Sequence, residues 1–209
     1  MEHTYVREGE KINPFFSIWL STRKTTRYIL DNKNLRYSLI LAVISGIPLA
    51  LSSGSQLLDL YDIPLRTLLI GLFLLGPLYG LLSWGVSTLL FTYIGKWLGG
   101  VGTLTGMGKA MGIVMIPAIW MTPFWILETA IAFNQPSTMQ GVTNFSTSMR
   151  WIFISGLITF VYSIFMILIQ SRAIGEVHEF SSWKGFGTII IPAVILGILS
   201  MFILMSIMR

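Results

Sequence analysis

The sequence predicts an all-α membrane protein: a five-transmembrane-helix bundle with an N-terminal cytoplasmic amphipathic helix. Three observations lead there. Hydrophobic residues make up 54% of the 209 and charged residues only 11%, with a mean hydropathy of +0.74, whereas a water-soluble domain needs about a quarter of its residues charged. Five runs free of ionisable residues are each close to or beyond the roughly 20 residues that cross a bilayer core. The 14 Lys and Arg are distributed unevenly among the segments between those runs. With no Cys in the chain, a disulfide framework, a thiolate metal site and a cysteine nucleophile are all excluded.

The N-terminal segment 1–36 is polar and basic and has no apolar core of the length a cleavable signal peptide needs. Within it, Asn13-Pro14 reads as a helix start, because Asn caps free N–H groups and Pro is tolerated in the first turn. The helix is expected over 14–31. At 100° per residue, Phe15, Ile18, Trp19, Thr22, Thr26, Ile29 and Leu30 share one stripe, and Ser17, Ser21, Lys24, Arg27, Tyr28 and Asp31 lie away from it. Such a helix suits the plane of the inner leaflet, with basic residues toward anionic lipid headgroups. Docking on the bundle or on a partner protein uses the same pattern. The candidate partner or lipid surface is Phe15, Trp19, Arg23, Lys24, Thr25 and Arg27.

The charge-free runs are Tyr37 to Leu58, Thr67 to Gly95, Ala110 to Leu127, Trp151 to Ser171 and Gly185 to Met208. They place spans at about 37–58, 68–94, 110–132, 151–171 and 187–208 of a membrane domain covering 37–209. The uncharged stretch from Thr129 to Met149 reads instead as a loop. Its amide and hydroxyl side chains, from Asn134 to Ser148, would each need a partner that lipid does not supply.

The connector between the second and third runs holds Gly95, Gly99, Gly100, Gly102, Gly106 and Gly108, ending at Lys109. It does not fit a phosphate-binding loop. Thr103 stands where a P-loop needs glycine, and Ala110 where it needs Ser or Thr. A dinucleotide fingerprint fails at Thr105 and lacks its preceding strand. Backbone freedom and close approach are the expected use of Gly99, Gly100 and Gly102, with Gly112 and Pro117 following at the start of the third span.

Helices associate in lipid by close packing, which small residues permit. Ala42, Gly46, Ala50 and Gly54 recur every fourth residue in the first span, and Gly76 and Gly80 repeat the spacing in the second. These stripes leave an internal seam and a homo-oligomer both open. Pro48, Pro77, Pro117, Pro123 and Pro192 fall inside spans, where they predict kinks. Kinked helices line substrate paths in transporters, so a small-solute transporter or channel component is the alternative reading. It lacks the acidic or basic side chain that ion-coupled transporters keep near the midplane.

No catalytic, cofactor-binding or metal site is expected. The histidines are His3 and His178, and Glu176-Val-His-Glu179 lacks the second His of a zincin and reads as a solvated turn. No Gly-x-Ser-x-Gly elbow occurs, and no span contains a His to activate a serine. No nucleic-acid partner is expected either. Eleven Lys and Arg lie in the segment before the first span and in the second and fourth connectors, against Arg66, Arg150 and Arg209 on the other side. That asymmetry puts the N-terminus in the cytoplasm and the C-terminus outside.

Two segments carry a family resemblance. Trp19-Leu-Ser-Thr-Arg-Lys-Thr25 is similar to the Trp-x-x-Pro-Arg-x-Thr segment of bacterial members of the YIP family, membrane proteins named for interaction with Ypt/Rab GTPases. It matches at Trp19, Arg23 and Thr25 and departs at Thr22, where relatives often have Pro. Gly99-Gly-Val-Gly102, then Ala110-Met-Gly112 and Pro117, resembles the family's Gly-Gly-x-Gly…Gly…Pro connector. The resemblance spans about residues 13 to 208. It implies five spans, a cytoplasmic N-terminus and a non-catalytic scaffold or accessory role in the cell membrane, assisting a membrane-protein partner in an export, trafficking or envelope-stress assembly.

Overall fold

A computed structural model describes residues 12–58, 64–134 and 142–207, with the side chains of 54–58, 65, 68, 132–134, 142–148, 204 and 207 left outside the description. Among the described residues there are eight helices and no strand: α1 (Pro14–Leu20), α2 (Thr22–Asn32), α3 (Leu35–Leu58), α4 (Leu65–Trp97), α5 (Leu104–Val114), α6 (Ile116–Asn134), α7 (Val142–Val177) and α8 (Ser182–Ile207). Five stretches are long and apolar enough to cross a membrane: Leu35–Ser53, Leu69–Trp97, Leu104–Ile131, Met149–Val177 and Ser182–Ile203. The chain is a multi-pass, all-helical membrane protein.

The first helix starts where the sequence places it. Asn13 caps α1 by accepting from the Phe15 N–H at 3.1 Å, with Pro14 in the first turn. The stretch expected as one helix over 14–31 is two, because the backbone leaves helical geometry at Ser21 (φ −128°, ψ 52°). The expected loop over 129–149 also needs correction: α6 runs on to Asn134 and α7 begins at Val142, and 135–141 lie outside the described residues. Polar composition argues against lipid around those turns. It does not prevent helix where water is at hand.

The five prolines behave differently from one another. Pro48, Pro77, Pro123 and Pro192 sit inside continuous helices, whereas the third span is divided at Met115, two residues before Pro117. Pro117 lacks an N–H, and its ring opposes the carbonyl four residues back. The chain resumes with a tighter bond from Ala118 N–H to Met115 O at 3.0 Å. Ser45 Oγ donates to the same carbonyl at 3.2 Å.

The described chain forms two compact units. One comprises the described parts of Leu39–Ser83 and Met115–Met166. Here α3 and α4 meet through glycine: a Cβ on Gly46 would overlap the Gly76 carbonyl oxygen, and one on Gly80 would overlap the Ala42 carbonyl oxygen and lie 2.6 Å from Gly46 Cα. The side chain position of Gly54 lies outside the described residues, and Ala50 is half-buried. Leu51, Ala118 and Trp125 form the core of this unit, packed by Leu72, Met121 and Phe124. Tyr162 meets Trp125 edge-on, ring centroids 5.6 Å apart. The other unit, from Met1–Ser38, Trp84–Val114 and Ile167–Arg209, carries the polar network described below.

Adding one methyl group tests the seam. Gly46→Ala and Gly80→Ala should each lower stability in detergent by about 1–3 kcal/mol, the usual cost of overpacking. Gly71→Ala and Gly156→Ala, where nothing lies within 4 Å of the added carbon, should change it by less than about 1 kcal/mol. Thermal denaturation of the four variants beside the parent chain measures the difference.

Candidate functional site

Helix ends leave backbone groups without partners, and the polar network of this unit is built on two of them. Helix α4 closes with a Schellman motif: Gly100 N–H reaches Gly95 O at 2.9 Å, Gly99 N–H reaches Lys96 O at 2.9 Å, and Gly99 takes φ +85°. Helix α7 closes the same way, with Phe180 N–H on Gly175 O at 3.0 Å and Glu179 N–H on Glu176 O at 3.4 Å. There the left-handed position is held by Glu179, φ 57°, where a side chain is disfavoured.

His178, the last residue before that turn, joins the two motifs. Its imidazole is buried at 1% exposure and lies where Gly95, Gly100 and Gly102 have no side chains. A Cβ on Gly100 would stand 2.6 Å from His178 Cβ and Cγ, one on Gly102 would stand 2.7 Å from Nδ1, and one on Gly95 would overlap Nε2. The Gly102 N–H donates to Nδ1 at 3.0 Å. Nε2 therefore carries the proton and donates to Phe91 O at 3.1 Å. The Phe180 ring stacks on the imidazole, centroids 5.2 Å apart and nearly parallel. The solvated turn expected around His178 is thus a buried junction. The hint in the sequence lay in the other segment, a glycine cluster with no ligand to cradle.

A second set of contacts fastens α2 to the end of α7. Glu176 sits in the last turn of α7, where the helix dipole disfavours a carboxylate. Arg23 Nη1 at 3.3 Å and Arg27 Nε at 2.8 Å offset it. Arg23 Nη2 also donates to Phe180 O at 2.9 Å and to Ser182 Oγ at 3.1 Å. Helix α2 turns buried Thr22, Thr25, Thr26 and Ile29 inward and packs on α5. The threonines are satisfied locally, Thr22 Oγ1 on Ile18 O and Thr26 Oγ1 on Thr22 O, both at 2.9 Å. Two lysines close further helix ends: Lys109 Nζ donates to Leu30 O at 2.8 Å and Lys184 Nζ to Leu98 O at 3.1 Å.

The residues singled out from sequence fall into three sets. Gly100 and Gly102 meet at His178, while Gly99 supplies the left-handed turn. Gly112 lies against Ser38, whose hydroxyl donates to Lys109 O at 2.9 Å, and Pro117 stands at the helix break. Of the proposed surface, Thr25 is buried, Arg23 and Arg27 are committed to Glu176, and Phe15, Trp19 and Lys24 are half-buried. Sequence reading missed Glu176, Phe180, Gly175 and Gly185. A Cβ on Gly185 would overlap the Ser171 carbonyl oxygen and lie 3.2 Å from Gly175 N, so α7 and α8 cross in backbone contact. Among the described residues no three His, Cys, Asp or Glu side chains converge as a metal site would require.

A family model for the Yip1 domain matches residues 16–204. The chain belongs to the YIP family. The match includes both Schellman turns, the glycine connector and Arg23. No curated protein and no solved structure matched this YIP family chain.

Two outcomes test the junction. Burial holds the His178 imidazole below its ordinary pKa of about 6.5, with Lys96 adding to the shift and the Phe91 hydrogen bond opposing it. The unfolded chain therefore binds the extra proton first as pH falls, so this contribution is complete above about pH 6.5 and is lost on acidification toward the lowered value. Denaturation midpoints measured from pH 8 to pH 5 should fall with acid, and His178→Asn should flatten that slope. Glu179→Gly should raise stability by about 1–2 kcal/mol by relieving the left-handed residue.

Proposed function

We propose that this YIP family protein is a non-catalytic scaffold or accessory subunit of the cell membrane. It holds its N-terminus in the cytoplasm and engages another membrane assembly through the basic end of the bundle. The observation that carries this is the Arg23–Glu176–Arg27 pairing. It fixes α2 on the end of α7, so that a charged segment that would otherwise be a loose tail becomes a surface of defined shape. A preformed surface loses less conformational entropy on binding than a disordered one. Along α2 half-buried Lys24 and exposed Asp31 stand two turns apart, and a partner reading them meets both signs of charge. The orientation is supported by the eleven-to-three Lys and Arg count.

Photo-crosslinking from Asp31 and Lys24 in intact membranes, followed by purification in mild detergent, tests the role. A discrete partner band is expected, reduced at least about threefold by Glu176→Ala. Recovery of the isolated chain alone, from both positions, would remove the reading. Because the chain lacks Cys, a single cysteine at exposed Ser181 reports orientation. It should react only with reagent supplied from the cytoplasmic side.

A further inference from the structure

Helix α1 presents a problem that the rest of the N-terminal segment does not. Its seven residues, Pro-Phe-Phe-Ser-Ile-Trp-Leu, contain no charge and a single polar side chain. That one is already engaged: Ser17 Oγ donates to Asn13 O at 2.8 Å and lies 2.8 Å from Thr25 Oγ1. Ile18 is fully buried, yet one turn apart on another face Phe16 is 61% and Leu20 87% exposed. A helix apolar on every side is stable only where no side meets water, and seven residues, about 10 Å of helix, cannot cross a bilayer.

The surroundings indicate what covers that face. Arg23 donates to Phe180 O and Ser182 Oγ, which places the junction of α1 and α2 at the turn between α7 and α8. Lys184 donates to Leu98 O, which brings the end of α4 to the same end of this unit. Trp97 closes one candidate span and Trp183 stands second in another, and both indoles are open, at 76% and 82%. Trp exposed at a span end is characteristic of the lipid–water interface. Lys96 beside Trp97 and Lys184 beside Trp183 are exposed as well. Phe16 and Leu20 therefore continue an interfacial belt that the spans themselves define. Directly after them the composition changes: α2 carries Arg23, Lys24, Arg27 and Asp31.

We infer that α1 is an interfacial anchor whose Phe16–Leu20 face lies in the outer hydrocarbon of the bilayer, and that the break at Ser21 marks the depth where the chain passes from lipid to the headgroup layer. The occupant of the face is lipid, not a second protein. This assignment is independent of the accessory role, since it concerns a different helix and a face that α2 does not share.

Single cysteines at Phe16, Leu20 and Asp31 in the otherwise Cys-free full chain, labelled with an environment-sensitive fluorophore, provide the test. The labelled proteins are reconstituted in phosphatidylcholine vesicles with and without phosphatidylglycerol. Acyl-brominated lipid should quench the labels at 16 and 20 several-fold more than aqueous iodide does, and the ratio should invert at 31. Phe16 and Leu20 are both exposed, and each label checks the other. Iodide quenching at 16 and 20 equal to that at 31 would overturn the inference. So would protection at 16 and 20 in native membranes that disappears in pure lipid vesicles, an outcome that assigns the face to a protein.

Discussion

A helix end inside or beside a bilayer exposes amide and carbonyl groups that neither lipid nor another apolar side chain can satisfy. In this chain one imidazole ties the turn that ends α7 to α4 and to the connector that follows it. His178 accepts from the Gly102 amide and donates to the Phe91 carbonyl, and its own carbonyl accepts from Val101 N–H at 3.4 Å. Burying the neutral ring with both nitrogens paired costs little, while burying the imidazolium would cost much more. The bare surfaces of Gly95, Gly100 and Gly102 follow from that one requirement, because any Cβ there would meet the ring. Gly99, between them in the chain, answers a different one, the positive φ of the turn.

The parts of this architecture legible in the sequence were those decided by local chemistry. Runs without charge gave the five spans, Asn13-Pro14 gave the start of α1, and Gly46, Gly76 and Gly80 gave a seam, since each depends on residues adjacent in the chain or on one helix face. The break at Met115 was legible only in part, because Pro117 removes a hydrogen bond just as Pro48, Pro77, Pro123 and Pro192 do inside helices that run on unbroken. His178 was opaque for the opposite reason. Its partners lie 76 and 87 positions away, and nothing in Glu176-Val-His-Glu179 states whether the ring meets water or glycine. The stripe on α1 and α2 was readable as amphipathic. What it faced was not, since threonines that bond back to their own helix are equally suited to burial against α5 and to solvent.

The basic residues do two kinds of work. Counted together they supply the asymmetry on which the expected orientation rests; taken singly, Lys109, Lys184 and Arg23 close carbonyls at the ends of α2, α4 and α7. The coincidence has a physical basis. Helix C-termini carry a partial negative charge, so cations that remain on one side of the membrane find ready acceptors wherever a helix ends there. Arg23 and Arg27 also pair base with acid, around Glu176. Charge on this end is organised, and the organisation reaches from the N-terminal helices to the start of α8.

Helix α8 is held firmly only at its beginning, where Gly185 presses on Ser171 and Gly175. From Ala193 to Ser206 every described side chain is exposed. The phase of this stretch is set by the start of the continuous helix, and among the described residues no face of it is packed within the chain. Its sequence answers to a summed transfer free energy and not to shape, so exchanges among Leu, Ile, Val and Met are interchangeable there. A few turns earlier, a single methyl group at Gly185 would be felt.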